Sequence, residues 1–202
     1  KVAEIAESWF IQYSMKQQAK GIIESFDDVR NVKEYQDKDV DFVYHYRNRP
    51  PVMIEVKGDR HKLRNLFAET VVPSFYSDKE TGNVVDQRAK PGWLFGSKAD
   101  FVFYCFIRFD TIYILNLRRF SPWLCNCLAT KGVRNKFTSC AAYNLHNKDA
   151  PSDNFYYGMG CLVPLSILES VEERLCNKII AEPPGIIGVY EQQKESESLH
   201  YA

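Results

Sequence analysis

Residues 39–59, DVDFVYHYRNRPPVMIEVKGD, constrain this chain more than any other stretch. They predict two strands joined by a tight connection. The first, residues 41–47, alternates Phe42, Tyr44 and Tyr46 with Asp41, Val43 and His45. The turn is expected around Asn48, Arg49, Pro50 and Pro51, because proline cannot donate a ladder hydrogen bond. The second, residues 52–57, is apolar and β-branched until Glu55 and Lys57 interrupt it. Strand side chains alternate faces, so Glu55 and Lys57 point one way and Val56 the other. Folding the hairpin brings Asp41 opposite Lys57 or one of its near neighbours. Two acids and a lysine then meet at one edge of the hairpin.

A buried carboxylate or ammonium has to be paired or hold a metal ion. The plain alternative is a surface salt bridge on a solvated sheet face. The flanking VMI and FVY runs read instead as core strands, which favours a site.

At these residues the chain resembles the PD-(D/E)xK nuclease superfamily, with its restriction-endonuclease-like fold. The matching positions are Asp41 and then Glu55-Val56-Lys57, with Val40 where the family name has proline. Gly58-Asp59 closes the strand. Asn65 and Glu69 follow four residues apart, then Gly92-Trp93-Leu94 and Ser97-Lys98-Ala99-Asp100-Phe101. The resemblance covers roughly residues 1–120. It implies an α/β fold with a central mixed β-sheet flanked by helices. It implies Mg²⁺, with Mn²⁺ able to substitute, held by Asp41, Glu55 and the carbonyl of Val56. Lys57 would orient or deprotonate a water and counter developing negative charge. On a strand next to Glu55, Glu69 would join the catalytic set as a further ligand or by holding a metal-bound water, with Asn65 as an auxiliary group that orients it.

The chain has 202 residues, enough for one domain with a sizeable core. The reading places a single nuclease-like domain at residues 1–182 and a polar tail at 183–202. Lys plus Arg number 26 and Asp plus Glu 26, so contact with nucleic acid has to come from local patches. Two such patches stand out: Arg60, His61, Lys62 and Arg64 beside the hairpin, and Lys131, Arg134 and Lys136 later in the chain. Lys98, just before the strand expected from residue 100, is a further candidate for nucleic-acid contact, reaching either the site or a phosphate. Each patch reads equally as solvated loop. No run of 18 apolar residues predicts a membrane span. The first residue, Lys1, is not methionine, which leaves a preceding segment open.

Residues 2–19 predict a helix with Val2, Ile5, Ala6, Trp9 and Tyr13 on one face and Glu4 and Glu7 in solvent. Gly21 stops it. Asp37, Asp39 and Asp41 alternate like the start of a calcium loop, but Phe42 stands where that loop needs glycine. Residues 66–72 alternate as a third strand, although a helix fits the same residues. Residues 76–91 read as a surface loop, 100–109 and 111–117 as two strands, and 118–130 as a helix. Residues 155–163 predict a late strand and 165–181 a closing helix.

Six cysteines, mostly in apolar strings, fit free thiols in a reducing, intracellular compartment. A zinc set from Cys125, Cys127, Cys140 and His146 is disfavoured, because one residue separates its first pair. Walker A, HExxH and GxSxG motifs are absent from the sequence. The expectation is therefore a Mg²⁺-dependent endodeoxyribonuclease with DNA as partner, no membrane partner, and homodimerisation left open. The alternatives are a non-catalytic nucleic-acid-binding or assembly domain on the same fold, and a nuclease for RNA or branched DNA.

Overall fold

The computed structural model describes residues 2–62, 65–77, 84–130, 138–145, 155–168 and 186–191, with side chains placed for 2–62, 65–71, 89–130 and 159–168. The chain opens with helix α1 (Val2–Ala19), strand β1 (Ser25–Asp28) and the short helix α2 (Lys33–Gln36). The expected hairpin follows as β2 (Phe42–Tyr46) and β3 (Arg49–Asp59). Next come β4 (Asn65–Ser77), β5 (Val84–Pro91), α3 (Trp93–Gly96), β6 (Phe101–Phe106) and, past a 3-10 turn, β7 (Thr111–Asn116). Helix α4 (Leu117–Ala129), β8 (Thr138–Leu145), β9 (Phe155–Pro164) and β10 (Ile186–Glu191) complete the described elements.

The fold is α/β, with a mixed central sheet in the order β1-β2-β3-β6-β7-β10. β3 and β6 run parallel, and the other neighbours are antiparallel. A parallel pair needs a long crossover. Here the β4–β5 hairpin and α3 supply it, and the hairpin belongs to a second sheet ordered β5-β4-β9-β8. Helix α1 packs on one face of the central sheet. The second sheet, α3 and α4 cover the other, around Leu66, Trp93, Val102, Tyr104, Leu115 and Val163. Among the described residues no helix is long and apolar enough to cross a membrane.

Helix α1 is held by its Ala6–Phe10–Ser14 stripe, four residues apart. Phe10 lies with its ring centroid 4.4 Å from that of Phe42, 4.8 Å from Phe103 and 5.5 Å from Tyr44. This rotates the helix slightly from the predicted face and leaves Ile5 exposed. Gly58 lets α1 approach β3: a Cβ there would stand 2.9 Å from Val2 O and 3.1 Å from Ala6 Cβ.

Three expectations change. The prolines lie inside β3 and not in the turn. They occupy its outer end, before β6 begins to pair at Ile54. The loop expected at 76–91 contributes strand β5, paired with β4 from Val71↔Pro91 onward. Within the stretch read as a tail, β10 pairs antiparallel with β7. Of the closing helix, residues 165–168 are helical, and the remainder lies outside the described residues.

Candidate metal and phosphodiester site

The hairpin register is Phe42↔Ile54, Val43↔Met53 and Tyr44↔Val52. Extended one step, it sets Asp41 against Glu55, two residues from the expected Lys57. The backbone closes this end: Asp41 N–H donates to Ile54 O at 2.8 Å. The Asp41 carboxylate then reaches across, and its Oδ2 accepts the Val56 N–H at 2.7 Å. Asp41 is thus fixed against the two residues with which it was expected to share a metal.

The parallel ladder places Glu55 beside Val102 and Lys57 beside Tyr104. Val102 and Tyr104 belong to the core under the second sheet, so Glu55 and Lys57 face that sheet. Val56 faces α1. Glu55 is 2 % exposed, and its Oε1 stands 2.5 Å from Lys57 Nζ. The other oxygen, Oε2, is buried with no hydrogen-bond partner. The Ser97 hydroxyl is within hydrogen-bonding reach of this carboxylate and favours its charged form, and Asp39 O, at 3.0 Å, accepts from the same hydroxyl. A buried acceptor left unpaired costs free energy that a cation would recover.

Glu69 arrives from the other layer. It lies on β4, whose partners are β5 and β9, so the expectation of a strand next to Glu55 is corrected: Glu69 belongs to the second sheet, and its charge reaches Lys57 from there. The Trp93 N–H bonds its carboxylate. Gly92 makes the approach feasible, since a Cβ there would lie 2.5 Å from Glu69 O and 2.7 Å from Glu69 Cγ. Asn65 starts the same strand. Four residues of strand span about 13 Å, so Asn65 is not placed to orient groups at Glu69.

The electrostatics mark the cluster as one unit. Burial raises the carboxyl pKa of Asp41, Glu55 and Glu69, partly offset in each case by Lys57. The Val56 N–H and Arg30 also lower that of Asp41, and Lys90 that of Glu69. The Asp39 charge pushes all three up. Burial pushes the Lys57 ammonium down, but Glu55, Asp41 and Glu69 together hold it above the ordinary lysine value. Several acids around one lysine, with shifted pKa values, are the pattern of a functional site.

Supporting residues missed from sequence surround the cluster. Asp39 sits in the left-handed region at φ 50°. Arg30 pairs with Glu7 of α1 and, at 2.5 Å, with Asp28, so Glu7 is an anchor and not a solvent-facing acid. Asp59 Oδ2 accepts from Tyr104 OH at 2.9 Å, and that hydroxyl accepts the Phe67 N–H at 3.2 Å. This chain ties β3, β6 and β4 together two residues from Lys57 and from Glu69. Asp100, from the Ser97–Phe101 segment, is structural: its Oδ2 accepts the Met53 N–H at 2.9 Å and its Oδ1 pairs with Arg118.

Of the basic residues, Arg60, His61, Lys62 and Lys98 are exposed. The first three form the loop after β3, tied by His61 N–H to Asp59 Oδ1 at 2.7 Å. Arg64, Lys131, Arg134 and Lys136 lie outside the described residues, as do the side chains of Cys140 and His146. His45 pairs with Asp27 at 2.8 Å, away from the acids. A cleft of about 1380 Å³ lined by Tyr13, Tyr46, Arg49 and Phe101 lies on the α1 face, and Asp41, Glu55 and Lys57 do not line it.

Among the described residues no three acidic, histidine or cysteine side chains gather around one point. The donors at hand are two carboxylates and a peptide carbonyl, all oxygen, the set that suits Mg²⁺. Compared with known proteins, the chain matches no family model, no curated sequence and no solved structure.

Proposed function

We propose that the chain is a Mg²⁺-dependent endonuclease that hydrolyses phosphodiester bonds in DNA, on a restriction-endonuclease-like core. One observation carries this reading: Glu55 is buried with one oxygen on Lys57 and the other unpartnered, beside an Asp41 that is fixed to the Val56 amide. A structural ion pair has no use for an unsatisfied oxygen, whereas a cation site does.

Asp41, Glu55 and the Val56 carbonyl would hold the ion, with Mn²⁺ able to replace Mg²⁺. When bound, the ion supplies polarisation of the phosphate and a lowered pKa for a coordinated water. Lys57 brings a fixed positive charge to the oxygens on which negative charge develops. With its pKa held up by three acids, Lys57 acts as a cation and hydrogen-bond donor. Glu69 of the second sheet interacts electrostatically with the same lysine, and there it can accept a proton from a water. The exposed Arg60, Lys62 and Lys98 can hold flanking phosphates.

The test is a cleavage panel of linear, supercoiled, single-stranded and branched DNA and of RNA, each with Mg²⁺, Mn²⁺ or EDTA. Cutting of DNA only with metal, and its loss in Glu55→Ala, is the expected result. Failure to cut any substrate leaves a non-catalytic binding domain, and cutting of RNA alone moves the substrate class.

A further inference from the structure

Helix α1 crosses the central sheet on a diagonal. Ala6 lies against Gly58 of β3, Phe10 against Phe42 and Phe103, and the Ser14 hydroxyl meets Tyr44 OH of β2 at 2.7 Å. The helix therefore ends over β2. The chain then turns at Gly21, φ 68°, and the Glu24 N–H donates to His45 O at 2.8 Å, which fastens this return to β2. The β7 side of the same face lies beyond the helix, which packs chiefly on β3. There Phe101 stands opposite Ile54 on one side and Asn116 on the other. Opposed residues share a face, and Ile54 belongs to the core under α1. The result is the cleft of about 1380 Å³, lined from the sheet by Tyr46, Phe101 and Ile114 and from the helix by Tyr13 and Gln17.

The charged groups at this cleft select the occupant. Arg47 and Asn48 form the turn between β2 and β3, and Arg49 stands opposite Tyr46 on one sheet face. The Arg49 charge favours the ionised Tyr46 hydroxyl against the effect of burial, so the guanidinium and the phenol are neighbours. Both arginines line the cleft, and neither pairs with an acid among the described residues. The acids at the cleft are Asp100 and Glu24, and the third arginine is Arg118. Asp100 is already engaged, with Oδ1 on Arg118 at 2.7 Å and Oδ2 accepting the Met53 N–H at 2.9 Å. Three arginines against two acids leave the lining one charge positive. An apolar ligand would leave Arg47 and Arg49 without a counter-charge, and a bare phosphate would leave the aromatic wall unfilled. A flat ring that carries a phosphate satisfies both, because guanidinium grips phosphate in a planar fork and aromatic side chains stack on flat rings. Pockets for drug-sized ligands run from about 300 to 1,000 Å³, so a ligand of nucleotide size fits.

We propose that this cleft binds a nucleotide, with its base against Tyr46 and Phe101 and its phosphate on Arg47 and Arg49. Asn116 and Gln17, both half-buried, offer amide donors and acceptors to the edge of the base. Asp41, Glu55 and Lys57 do not line the cleft, so the site is separate from the acid cluster and independent of the nuclease reading.

Calorimetry with the four ribonucleoside 5′-monophosphates, their nucleosides and ribose 5-phosphate tests the proposal. EDTA is present throughout, so that metal at the acid cluster plays no part. At least one monophosphate should bind, and its nucleoside and ribose 5-phosphate should each bind about tenfold more weakly or worse. Arg47→Ala and Arg49→Ala should each weaken the monophosphate on the order of tenfold and leave the nucleoside unchanged. Both arginines are exposed, so melting curves of these variants should match the wild type. Tyr46→Leu should weaken monophosphate and nucleoside on the order of tenfold without moving ribose 5-phosphate, and Phe101→Leu makes the same test if Tyr46→Leu fails to fold. Glu24→Gln should tighten the monophosphate, because it removes the like charge at the cleft. Glu55→Ala should leave nucleotide binding as it is. No binding by any of the four, a nucleoside that binds as tightly as its monophosphate, affinity indifferent to both arginine substitutions, or binding lost in Glu55→Ala overturns the proposal.

Discussion

Lys57 Nζ stands 2.5 Å from Glu55 Oε1, while Oε2 of the same carboxylate is buried with no partner. The lysine is itself 37 % exposed, whereas Glu55 is 2 % exposed. The pair is half satisfied, and desolvation is the larger influence on Glu55. Such an arrangement is least stable when the acid is charged and no second cation is present.

That relationship has a pH signature. Asp41, Glu55 and Glu69 all have carboxyl pKa values raised by burial. A carboxyl raised in the folded state holds its proton where the unfolded chain has released it, so stability falls as pH rises through that window. Without metal, the melting temperature should therefore decline as pH climbs from about 4 past the raised values. The raised Lys57 ammonium acts in the opposite range: its contribution is full below the ordinary lysine value of 10.5 and is lost above it. Mg²⁺ should raise the melting temperature at neutral pH in a concentration-dependent way, and Glu55→Gln should flatten both effects. A melting temperature indifferent to Mg²⁺ at neutral pH would show that the unpartnered oxygen takes no ion.

Gly92 offers a test of how Glu69 is placed. The atoms that an added Cβ would meet are the carbonyl oxygen and carbon of Glu69, at 2.5 and 2.6 Å, and its Cγ. Two of the three are backbone, so relief requires moving β4 or α3. Gly92→Ala should displace Glu69 from Lys57 and destabilise the fold by about 1–3 kcal/mol. Metal affinity, which in the proposed site would rest on Asp41 and Glu55, should change little by calorimetry. If Glu69 takes part in the chemistry, the single-turnover cleavage rate should fall as far as in Glu69→Gln. Full activity in Gly92→Ala would separate Glu69 from the reaction.

The hairpin was legible because period-2 alternation and the Glu55-Val56-Lys57 spacing are local signals. They placed Asp41, Glu55 and Lys57 together, with a two-residue offset because the turn closes at Arg47 and Asn48 ahead of the prolines. The α1 helix was legible from apolar residues three and four apart, whereas the central mixed sheet was expected from the family resemblance. The second sheet was not. Its β5 strand reads VVDQRAKP, too polar to signal a strand without knowledge that β4 lies beside it. Glu69 was found as a residue but assigned to the wrong layer, since alternation along β4 carries no information on which sheet the strand joins. Asp39 and Ser97 act through a left-handed backbone turn and a main-chain hydrogen bond, which composition does not announce. The Asp59–Tyr104 bond joins residues 45 apart in the chain, beyond any local pattern.

Lys57→Ala separates catalysis from metal binding. The substitution removes the cation at Glu55 Oε1 and leaves both donor carboxylates in place. Loss of one preorganised charge should lower the single-turnover rate by about 10²-fold or more. Mg²⁺ affinity should persist or rise, because the lysine and the ion compete for the same carboxylate. DNA affinity should fall only slightly, since other cations carry most phosphate contacts. The metal-free protein should be less stable at neutral pH, because Glu55 then lies buried without its counter-ion and with only Ser97 beside it, and Mg²⁺ should restore more stability than it adds to the wild type. Calorimetry, anisotropy and melting curves on one preparation read these outcomes separately. A variant that binds Mg²⁺ as the wild type does and cuts at the wild-type rate would remove Lys57 from the chemistry and reduce its contact with Glu55 to an ion pair of the fold.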